Sequence, residues 1–295
     1  MANLKEVRIR IQSVKSTQQI TKAMKMVAAA KLRKAQDAIL QMRPYAERLG
    51  AIIDHLATNS NIDSQSIYAM ERDEIDNTLI VVFSSDRGLC GAFNSNAVKA
   101  ATAHIERSFA HLHETGNLWI MPIGKKAWEY FSKRGYPVIE DHVDVMHQLG
   151  FQKVRQAAEF VLESFSTGQF DRVDIIYNEF RNVATQNIRV DQYLPIPLKE
   201  VETTSRPINF ILEPSLDYIQ LELIPQTLKF QFYKAALESN ASEHGARMTA
   251  MNQATDNAGE LIKDLLLLYN RTRQAAITKE ILEIVGGAEA LSGGS

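Results

Sequence analysis

Cysteine is nearly absent from the 295-residue sequence, which contains only Cys90. A single thiol excludes an internal disulfide and a CxxC redox or zinc site, and it fits a reducing compartment. No apolar run approaches the roughly 20 residues that a helix needs to cross a bilayer. The N-terminal MANLKEVRIR lacks the apolar stretch of a signal peptide. We therefore expect a chain that stays where it is made, with Cys90 as a small buried packing residue.

Signatures of catalytic and ligand sites are also missing. The seven histidines show no spacing typical of a metal site, and no Ser-His-Asp or Cys-His arrangement can be inferred. The glycine-containing turns follow neither GxGxxG nor GxxxxGK(S/T), the patterns of dinucleotide and phosphate loops. The sequence therefore predicts no catalytic residue, no cofactor and no metal.

Positive charge is concentrated at the N-terminus although the whole chain has a net charge of −2. Residues 1–50 contain 11 Lys and Arg against 3 Asp and Glu, whereas the remainder contains 22 against 32. The basic face of such a helix is exposed to solvent, or it binds nucleic acid, an anionic membrane or an acidic protein. No aromatic residue precedes Tyr45, which weakens nucleic-acid stacking, and the absence of Trp and Phe weakens membrane binding.

Each end of the chain has the alternating three- and four-residue spacing of a coiled-coil seam. The C-terminal seam consists of Met248, Met251, Thr255, Ala258, Ile262, Leu265, Tyr269, Thr272 and Ala276. The N-terminal seam consists of Met24, Ala28, Leu32, Ala35, Ile39, Met42, Ala46, Leu49, Ile53 and Leu56, with one stutter at its start. The two seams predict an antiparallel coiled coil. The alternative is two helices that join separate partners.

Short apolar runs alternate with helical stretches between the two seams, which predicts an α/β layer with a largely parallel sheet. The fold class is therefore α/β: a Rossmann-like domain inserted into a long antiparallel coiled coil. Predicted strands are 78–84, 118–123, 136–139, 172–180 and 186–194, and predicted helices are 94–114, 124–134 and 151–167. The predicted segments are an N-terminal helix 1–57, a linker 58–77, the α/β domain 78–214, a C-terminal helix 215–287 and a flexible tail 288–295.

One proline and four glycines define the expected shape of the terminal helices. Pro44 removes a backbone hydrogen bond, but the seam continues past it in register, so we expect a kink and not an end. Gly286, Gly287, Gly293 and Gly294 are expected to terminate the last helix in a loose tail.

Two polar motifs have two interpretations each. The turn Ser85–Gly91 lies between a predicted strand and a predicted helix, so it is a weak phosphate loop or a tight turn at a sheet edge. Arg273 and Gln274 lie off the C-terminal seam and point outward. They belong to a solvated face, or they bond an enclosing protein through the planar donor fork of arginine.

Three stretches of the sequence resemble the gamma subunits of F-type rotary ATP synthases of the bacterial type. They are TQQITKAMKMVAAAKLRKAQ at Thr17–Gln36, SSDRGLCGAFN at Ser84–Asn94, and the stretch from Ser242 to Leu291 that begins SEHGARMTAMNQATDN. The three stretches cover both ends and the middle of the chain in the order of that family.

The resemblance implies the central rotor shaft of a proton-translocating ATP synthase. The terminal helices would lie inside a ring of alternating alpha and beta subunits. The α/β domain would be the foot, which binds the epsilon subunit and the membrane ring of c subunits; the complex also contains a delta subunit. Proton flow would turn the c-ring and the shaft, and the shaft would drive the beta sites through their states. This chain would be non-catalytic, bind neither nucleotide nor nucleic acid, and occur once per complex.

The resemblance also assigns contact residues. Arg273 and Gln274 match positions that contact a loop of one beta subunit, and Met24 and Arg247 match positions where the shaft contacts beta. Charge alone adds Lys22 and Lys25 to this set. The turn assigned to the epsilon side of the foot consists of Asp86, Arg87, Gly88, Cys90 and Gly91.

Location and regulation follow from the same resemblance. We expect a peripheral protein on the cytoplasmic face of a bacterial plasma membrane, held there through the c-ring. The chloroplast form has an inserted cysteine pair, so a chain with Cys90 alone is expected to lack thiol regulation. The lack of a transit peptide favours a bacterial protein, although a processed mitochondrial chain would look alike. An enzyme with a nucleotide near Asp86–Gly91, or a nucleic-acid-binding coiled coil, are the alternatives.

Overall fold

The computed structural model describes residues 4–59, 67–70, 72, 74–183, 185–197 and 216–292. Part of the predicted linker, the end of the predicted α/β domain and the last residues of the predicted tail lie outside these ranges. The helices are α1 Leu4–Asn59, α2 Phe93–Ser108, α3 Ala110–Thr115, α4 Lys125–Ser132, α5 Phe151–Ser166 and α6 Leu216–Ser292, with a 3₁₀ turn at Val143–Met146. The strands are β1 Thr78–Phe83, β2 Leu118–Ile123, β3 Arg172–Phe180 and β4 Gln186–Leu194.

The four strands form one sheet in the order β2-β1-β3-β4. Strand β1 is parallel to β2 and to β3, and β4 pairs antiparallel with β3 at the edge. All six residues of β1 are buried because helices cover both faces of the sheet. Leu79 and Val81 pack on the side of α5 and α6, whereas Ile80 and Val82 pack on the side of α2 and α4. The predicted α/β fold with a largely parallel sheet is confirmed.

Two predicted elements of this domain were wrong in detail. The strand predicted at 136–139 is a single bridge between Val138 and Ile120, flanked by Pro137, which has no backbone N–H to extend a ladder. The helix predicted at 94–114 is two helices, because the backbone of Phe109 leaves the helical region with φ of −136°. The ring of Phe109 is buried and makes a T-shaped contact with the His104 ring. The break between α2 and α3 therefore places the Phe109 ring in the core.

The predicted end of the last helix was also wrong, because α6 continues through Gly286 and Gly287 to Ser292. Neither glycine has a positive φ, so neither forms a left-handed helix cap. A glycine inside a helix costs only about 1 kcal/mol relative to alanine. The strong helix formers Ala288, Glu289 and Ala290 follow at once and extend the helix.

The chain divides into two compact units, residues 1–27 with 248–295, and residues 28–247. In the first unit Val7 and Ile11 pack against Leu265, and the hydroxyl of Thr21 meets that of Thr255 at 2.8 Å. Positions rise along α1 while their partners fall along α6, so the two helices run antiparallel. The predicted antiparallel coiled coil is therefore confirmed.

In the second unit, α1 passes through Pro44 without ending, as the seam predicts. The ring of Tyr45 contacts that of Phe230 on α6, with centroids 4.5 Å apart. The same part of α6 covers the sheet: the ring of Phe232 packs on Phe83, and the hydroxyl of Ser242 donates to the carbonyl of Asn178 at 3.0 Å.

A buried carboxylate attaches the segment before β1 to the amino end of β3. Asp171 accepts hydrogen bonds from the backbone N–H groups of Asp76 at 2.9 Å and Asn77 at 2.8 Å, and it pairs with Arg72. Burial tends to raise the pKa of Asp171, but the bonds from Asn77, Arg72 and Asp76 lower it more, so this pKa lies below its usual range.

We expect Asp171→Asn to remove part of the acid sensitivity of the chain. A folded-state pKa below the unfolded value of about 3.9 contributes stability above that pH, and the contribution is lost as pH falls through the folded-state pKa. At neutral pH the substitution should lower the unfolding free energy by on the order of 2 kcal/mol. Thermal melts of the full chain against pH measure this. Asp76→Asn is the matched control, because that side chain is exposed. Equal pH profiles for the two variants would contradict the assignment.

Candidate functional site

The end of α6 is exposed around its whole circumference. Thr272 is the last half-buried seam position, and the predicted seam residue Ala276 and every residue from 273 to 288 are exposed. Five large apolar side chains lie in this stretch, Ile277, Ile281, Leu282, Ile284 and Val285. Positions 277, 281, 284 and 285 share one broad helix face with 282 at its edge, whereas Lys279, Glu280 and Glu283 lie on the opposite face. The apolar face is exposed in the described part of the chain, which is typical of a surface that another protein covers.

Arg273 and Gln274 begin this exposed stretch, and both side chains are exposed, as their position off the seam predicts. A guanidinium fork and an amide at the boundary between the paired and the unpaired part of α6 are free to bond carboxylates or backbone carbonyls of a surrounding protein. Their contact with a beta subunit stays a prediction.

The N-terminal half of the coiled coil has a basic surface. Residues 4–27 contain six Lys and Arg and a single acidic residue, Glu6. Lys22 is exposed, whereas Met24 and Lys25 are half-buried. The ammonium group of Lys25 donates to the side-chain oxygen of Asn252 on α6. Lys22 therefore lies on the outer charged face, and Lys25 is held against the neighbouring helix.

The loop after β1 is held from inside by its own side chains. The backbone N–H of Ser85 donates to Asn94 Oδ1 at 2.9 Å, and Asn94 Nδ2 donates to Ser85 Oγ at 2.7 Å and to Cys90 Sγ at 3.2 Å. Cys90 is 1% exposed, and burial raises the pKa of its thiol. The predicted burial of Cys90 is confirmed. Arg87, Gly88 and Gly91 remain exposed at the tip of the loop.

Helix α6 clamps the same loop from outside through one arginine. The guanidinium of Arg247 donates to the carbonyl of Gly88, to the carbonyl of Arg87 at 3.1 Å and to Glu243 Oε1 at 2.7 Å. Burial raises the pKa of Glu243, and the charge of Arg247 offsets part of that rise. The Arg247 side chain is only 12% exposed. Both of its terminal nitrogens donate to acceptors within this chain. Its contact with a beta subunit stays a prediction.

The first N–H groups of α4 are bound by the protein itself. Lys125 N–H donates to Asp86 Oδ1 at 3.3 Å, Lys126 N–H to the Ser85 carbonyl at 3.1 Å, and Ala127 N–H to Ser84 Oγ at 2.9 Å. A phosphate bound at a strand–turn–helix would need such N–H groups. A carboxylate, a carbonyl and a hydroxyl of the protein bind them instead, so they are not open to a phosphate at the start of α4. The turn Ser85–Gly91 precedes α2, so both of its interpretations stay predictions.

The structure brings together residues that the sequence had placed in separate sets. Arg87 and Gly88 belonged to the epsilon-side turn and Arg247 to the ring contacts, yet their atoms bond one another. Sequence reasoning missed Glu243 and Asn94, which complete this arrangement. The four-residue spacing of Glu243 and Arg247 is the ion-pair spacing of a helix and was the available signal.

The described part of the chain contains no group of three or more His, Cys, Asp or Glu side chains placed to bind a metal ion. Within the same residues, no helix combines the length and the apolar character needed to cross a membrane.

Comparison with known proteins gives full-length relatives. A family model described as ATP synthase matches residues 3–291. The chain is 55% identical over 295 residues to the ATP synthase gamma chain of Cytophaga hutchinsonii, covering 99% of this chain and 100% of that protein. It is 49% identical over 292 residues to the ATP synthase gamma chain of Amoebophilus asiaticus, again covering 99% and 100%.

Solved structures share the fold. A chain in the cryo-EM structure of Euglena gracilis mitochondrial ATP synthase (OSCP, F1 and c-ring, rotational state 3) matches with a TM-score of 0.67 at 22% identity, covering 99% of this chain and 95% of that chain. A chain in the central stalk and c-ring structure of Tetrahymena thermophila mitochondrial ATP synthase matches with a TM-score of 0.59 at 24% identity, covering 80% and 99%. At these identities the similarity shows the fold alone.

Proposed function

Because the chain belongs to the gamma chain family of the ATP synthases, we propose that it is the central rotor shaft of a proton-translocating ATP synthase. Rotation of the membrane c-ring turns the shaft, and the shaft forces the catalytic beta subunits through their conformations in turn. Proton flow is thereby coupled to ATP synthesis or hydrolysis. The chain itself performs no catalysis and acts as a mechanical subunit of the complex.

The observation that carries this proposal is the exposed end of α6, residues 273–288. Its broad exposed apolar face suits packing against an apolar sleeve, and the small residues Ala275, Ala276, Gly286, Gly287 and Ala288 lie in the same stretch. Small side chains let a helix turn inside such a sleeve, where large interlocking side chains would hold it in place. A ring of alpha and beta subunits provides such a sleeve.

The coupling is allosteric, and the orientation of the shaft is the effector. A beta subunit changes conformation only if the shaft interacts with its alternative conformations with different free energies. The basic surface of α1 provides one difference, through attraction to acidic loops of the beta subunits. Arg273 and Gln274, at the start of the exposed stretch, provide another.

The remaining partners bind the α/β domain. We assign the epsilon subunit and the c-ring to this domain, with the loop Asp86–Gly91 on the epsilon side, and one copy of the chain per complex with alpha, beta and delta. The chain then lies on the cytoplasmic face of a bacterial plasma membrane as a peripheral subunit. It needs no nucleic acid and no cofactor for this role.

Arg273→Ala tests the proposed contact with the beta subunits. Charge-assisted hydrogen bonds contribute about 1.5–3 kcal/mol, and loss of ~1.4 kcal/mol is a factor of about ten. We expect coupled ATP hydrolysis by the purified complex to fall by about tenfold, with unchanged subunit composition. Arg271→Ala removes the same charge two residues away and is the matched control. Unaltered turnover in Arg273→Ala would mean that the contact is absent.

A further inference from the structure

The coiled coil of the first unit contains a polar layer, which consists of Gln18, Thr21, Lys25, Asn252, Thr255 and Gly259. The hydroxyls of Thr21 and Thr255 lie 2.8 Å apart, and Gln18 Nε2 donates to the carbonyl of Thr255 at 3.4 Å. Lys25 donates to Asn252. Three side chains of α1 therefore bond α6 within two helical turns, although apolar contacts at Ile11 and Leu265 hold the neighbouring part of the seam.

The two threonine hydroxyls bond each other between the helices. Thr255 Oγ1 lies 2.7 Å from the carbonyl of Met251, and Thr21 Oγ1 lies 3.0 Å from that of Gln18. Each hydroxyl has one proton, so one of the two donates to a carbonyl of its own helix and accepts from the other threonine. Thr21 is 8% exposed, so water does not readily replace this partner. The hydroxyl pair is thus a specific contact between the two helices.

Gly259 makes room for the glutamine of the polar layer. Glycine inside a helix is about 1 kcal/mol less favourable than alanine, and this one lies in a stretch of strong helix formers. A Cβ at position 259 would lie 3.1 Å from Gln18 Nε2, which is closer than most Cβ contacts allow. The missing side chain lets the amide of Gln18 approach the carbonyl of Thr255.

Apolar seam contacts alone specify the axial register of two helices poorly. A shift of one heptad replaces one apolar contact by another. The same shift would place Thr21 opposite Ile262 or Met248, so the hydroxyl would lose its partner on α6. Gln18 would also lose the space beside Gly259. Polar pairs inside a seam select a register because only one alignment satisfies them.

We propose that Gln18, Thr21, Thr255 and Gly259 are positioning residues that fix the register of α1 against α6. They maintain the alignment of the basic surface of α1 with Arg273 and Gln274 on α6. Only the consequence for torque rests on the proposed function. A shaft whose helices slip past each other under load would present altered surfaces to the surrounding ring.

Disulfide pairs in the assembled complex report the register. With Cys90→Ala as background, Ile11→Cys with Leu265→Cys tests the observed register, because these two side chains share one cluster. Ile11→Cys with Ala258→Cys tests a shift of one heptad. The yield of each disulfide is measured after oxidation during ATP hydrolysis against a proton gradient. In the parent complex we expect the first pair to form and the second to remain at background.

Thr21→Val with Thr255→Val removes both hydroxyls and keeps the shape of the side chains. We expect the yield of the shifted disulfide to rise by about tenfold, which corresponds to about 1.4 kcal/mol of register preference. The number of protons pumped per ATP hydrolysed should fall. Thr21→Ser with Thr255→Ser retains the hydroxyls. It should return the yield of the shifted disulfide and the number of protons pumped per ATP to the parent values. Thr17→Val is the control, because that exposed hydroxyl bonds only the Ser13 carbonyl of its own helix.

The outcomes separate this inference from the proposed function. Failure of the parent chain to assemble with alpha and beta subunits would overturn the proposed function. Assembly of the valine variant with no shifted disulfide and normal pumping would overturn the register role. If the valine variant does not assemble, Gly259→Ala replaces it, with Gly286→Ala as the control in open space. A raised yield of the shifted disulfide in Gly259→Ala but not in Gly286→Ala supports the inference. Equal yields in these two variants overturn it.

Discussion

Replacing Gly124 by alanine is expected to destabilise the α/β domain by more than about 4 kcal/mol, at the extreme of single substitutions. Gly124 has a φ of +118°, and an added Cβ would lie 2.2 Å from the carbonyl oxygen of Ser84. Neither backbone can move away. Ser84 N–H is bonded to the carbonyl of Ile123 at 2.8 Å, and Gly124 N–H to that of Val143 at 3.0 Å. The collision therefore displaces the carboxyl end of β1.

The level of assembled complex in cells and hydrogen exchange of β1 in the full chain measure this effect. Gly135→Ala is the matched control, because Gly135 also has a positive φ, +75°, but an added Cβ would meet nothing within 4 Å. Left-handed backbone strain alone costs about 1–2 kcal/mol. Wild-type protection of β1 in Gly124→Ala, or equal effects at the two glycines, would contradict this packing.

Leu265→Ala is expected to have the second largest effect on stability. It acts at the apolar end of the coiled coil. Leu265 is buried with Val7 and Ile11, and these three are the buried members of the cluster that joins α1 to α6 there. Truncation of a buried leucine costs about 2–5 kcal/mol. The cluster has too few members to absorb such a loss, so the N-terminal turns of α1 should separate from α6.

Hydrogen exchange of residues 4–14 in the full chain reports that separation directly. Leu267→Ala deletes the same atoms two residues away at a side chain that is 70% exposed, and it should leave the exchange of α1 unchanged. Faster exchange in both variants would show that helix propensity and not the cluster holds α1. Wild-type exchange in Leu265→Ala would show that the cluster is dispensable.

The sheet and the paired helices could be predicted from the sequence because their signals are local and periodic. The five consecutive apolar residues of β1, Leu79 to Phe83, need both faces of the sheet covered, and the observed helices on both sides cover them. The seam of α6 is buried or half-buried at each predicted position from Met248 to Thr272. Periodicity of this kind depends on the residues of one element alone.

Contacts between distant segments could not be predicted in the same way. The polar layer depends on the offset between α1 and α6, and Gln18 and Thr21 lie before the start of the predicted N-terminal seam. The bonds from Arg247 to the carbonyls of Arg87 and Gly88 involve backbone atoms, which leave no pattern in side-chain sequence. Phe109 breaks a helix that its neighbours favour, because burial of its ring outweighs helix propensity.

The measurement that tests the rotor proposal most directly is rotation of this chain inside its complex. The ring is fixed to glass through its beta subunits, and a bead is attached at Lys133→Cys, an exposed position of the α/β domain. Cys90 is buried and does not compete for the label. With ATP, we predict rotation in one direction with one step for each catalytic site. A bead that stays still while the same complexes hydrolyse ATP would contradict the proposal.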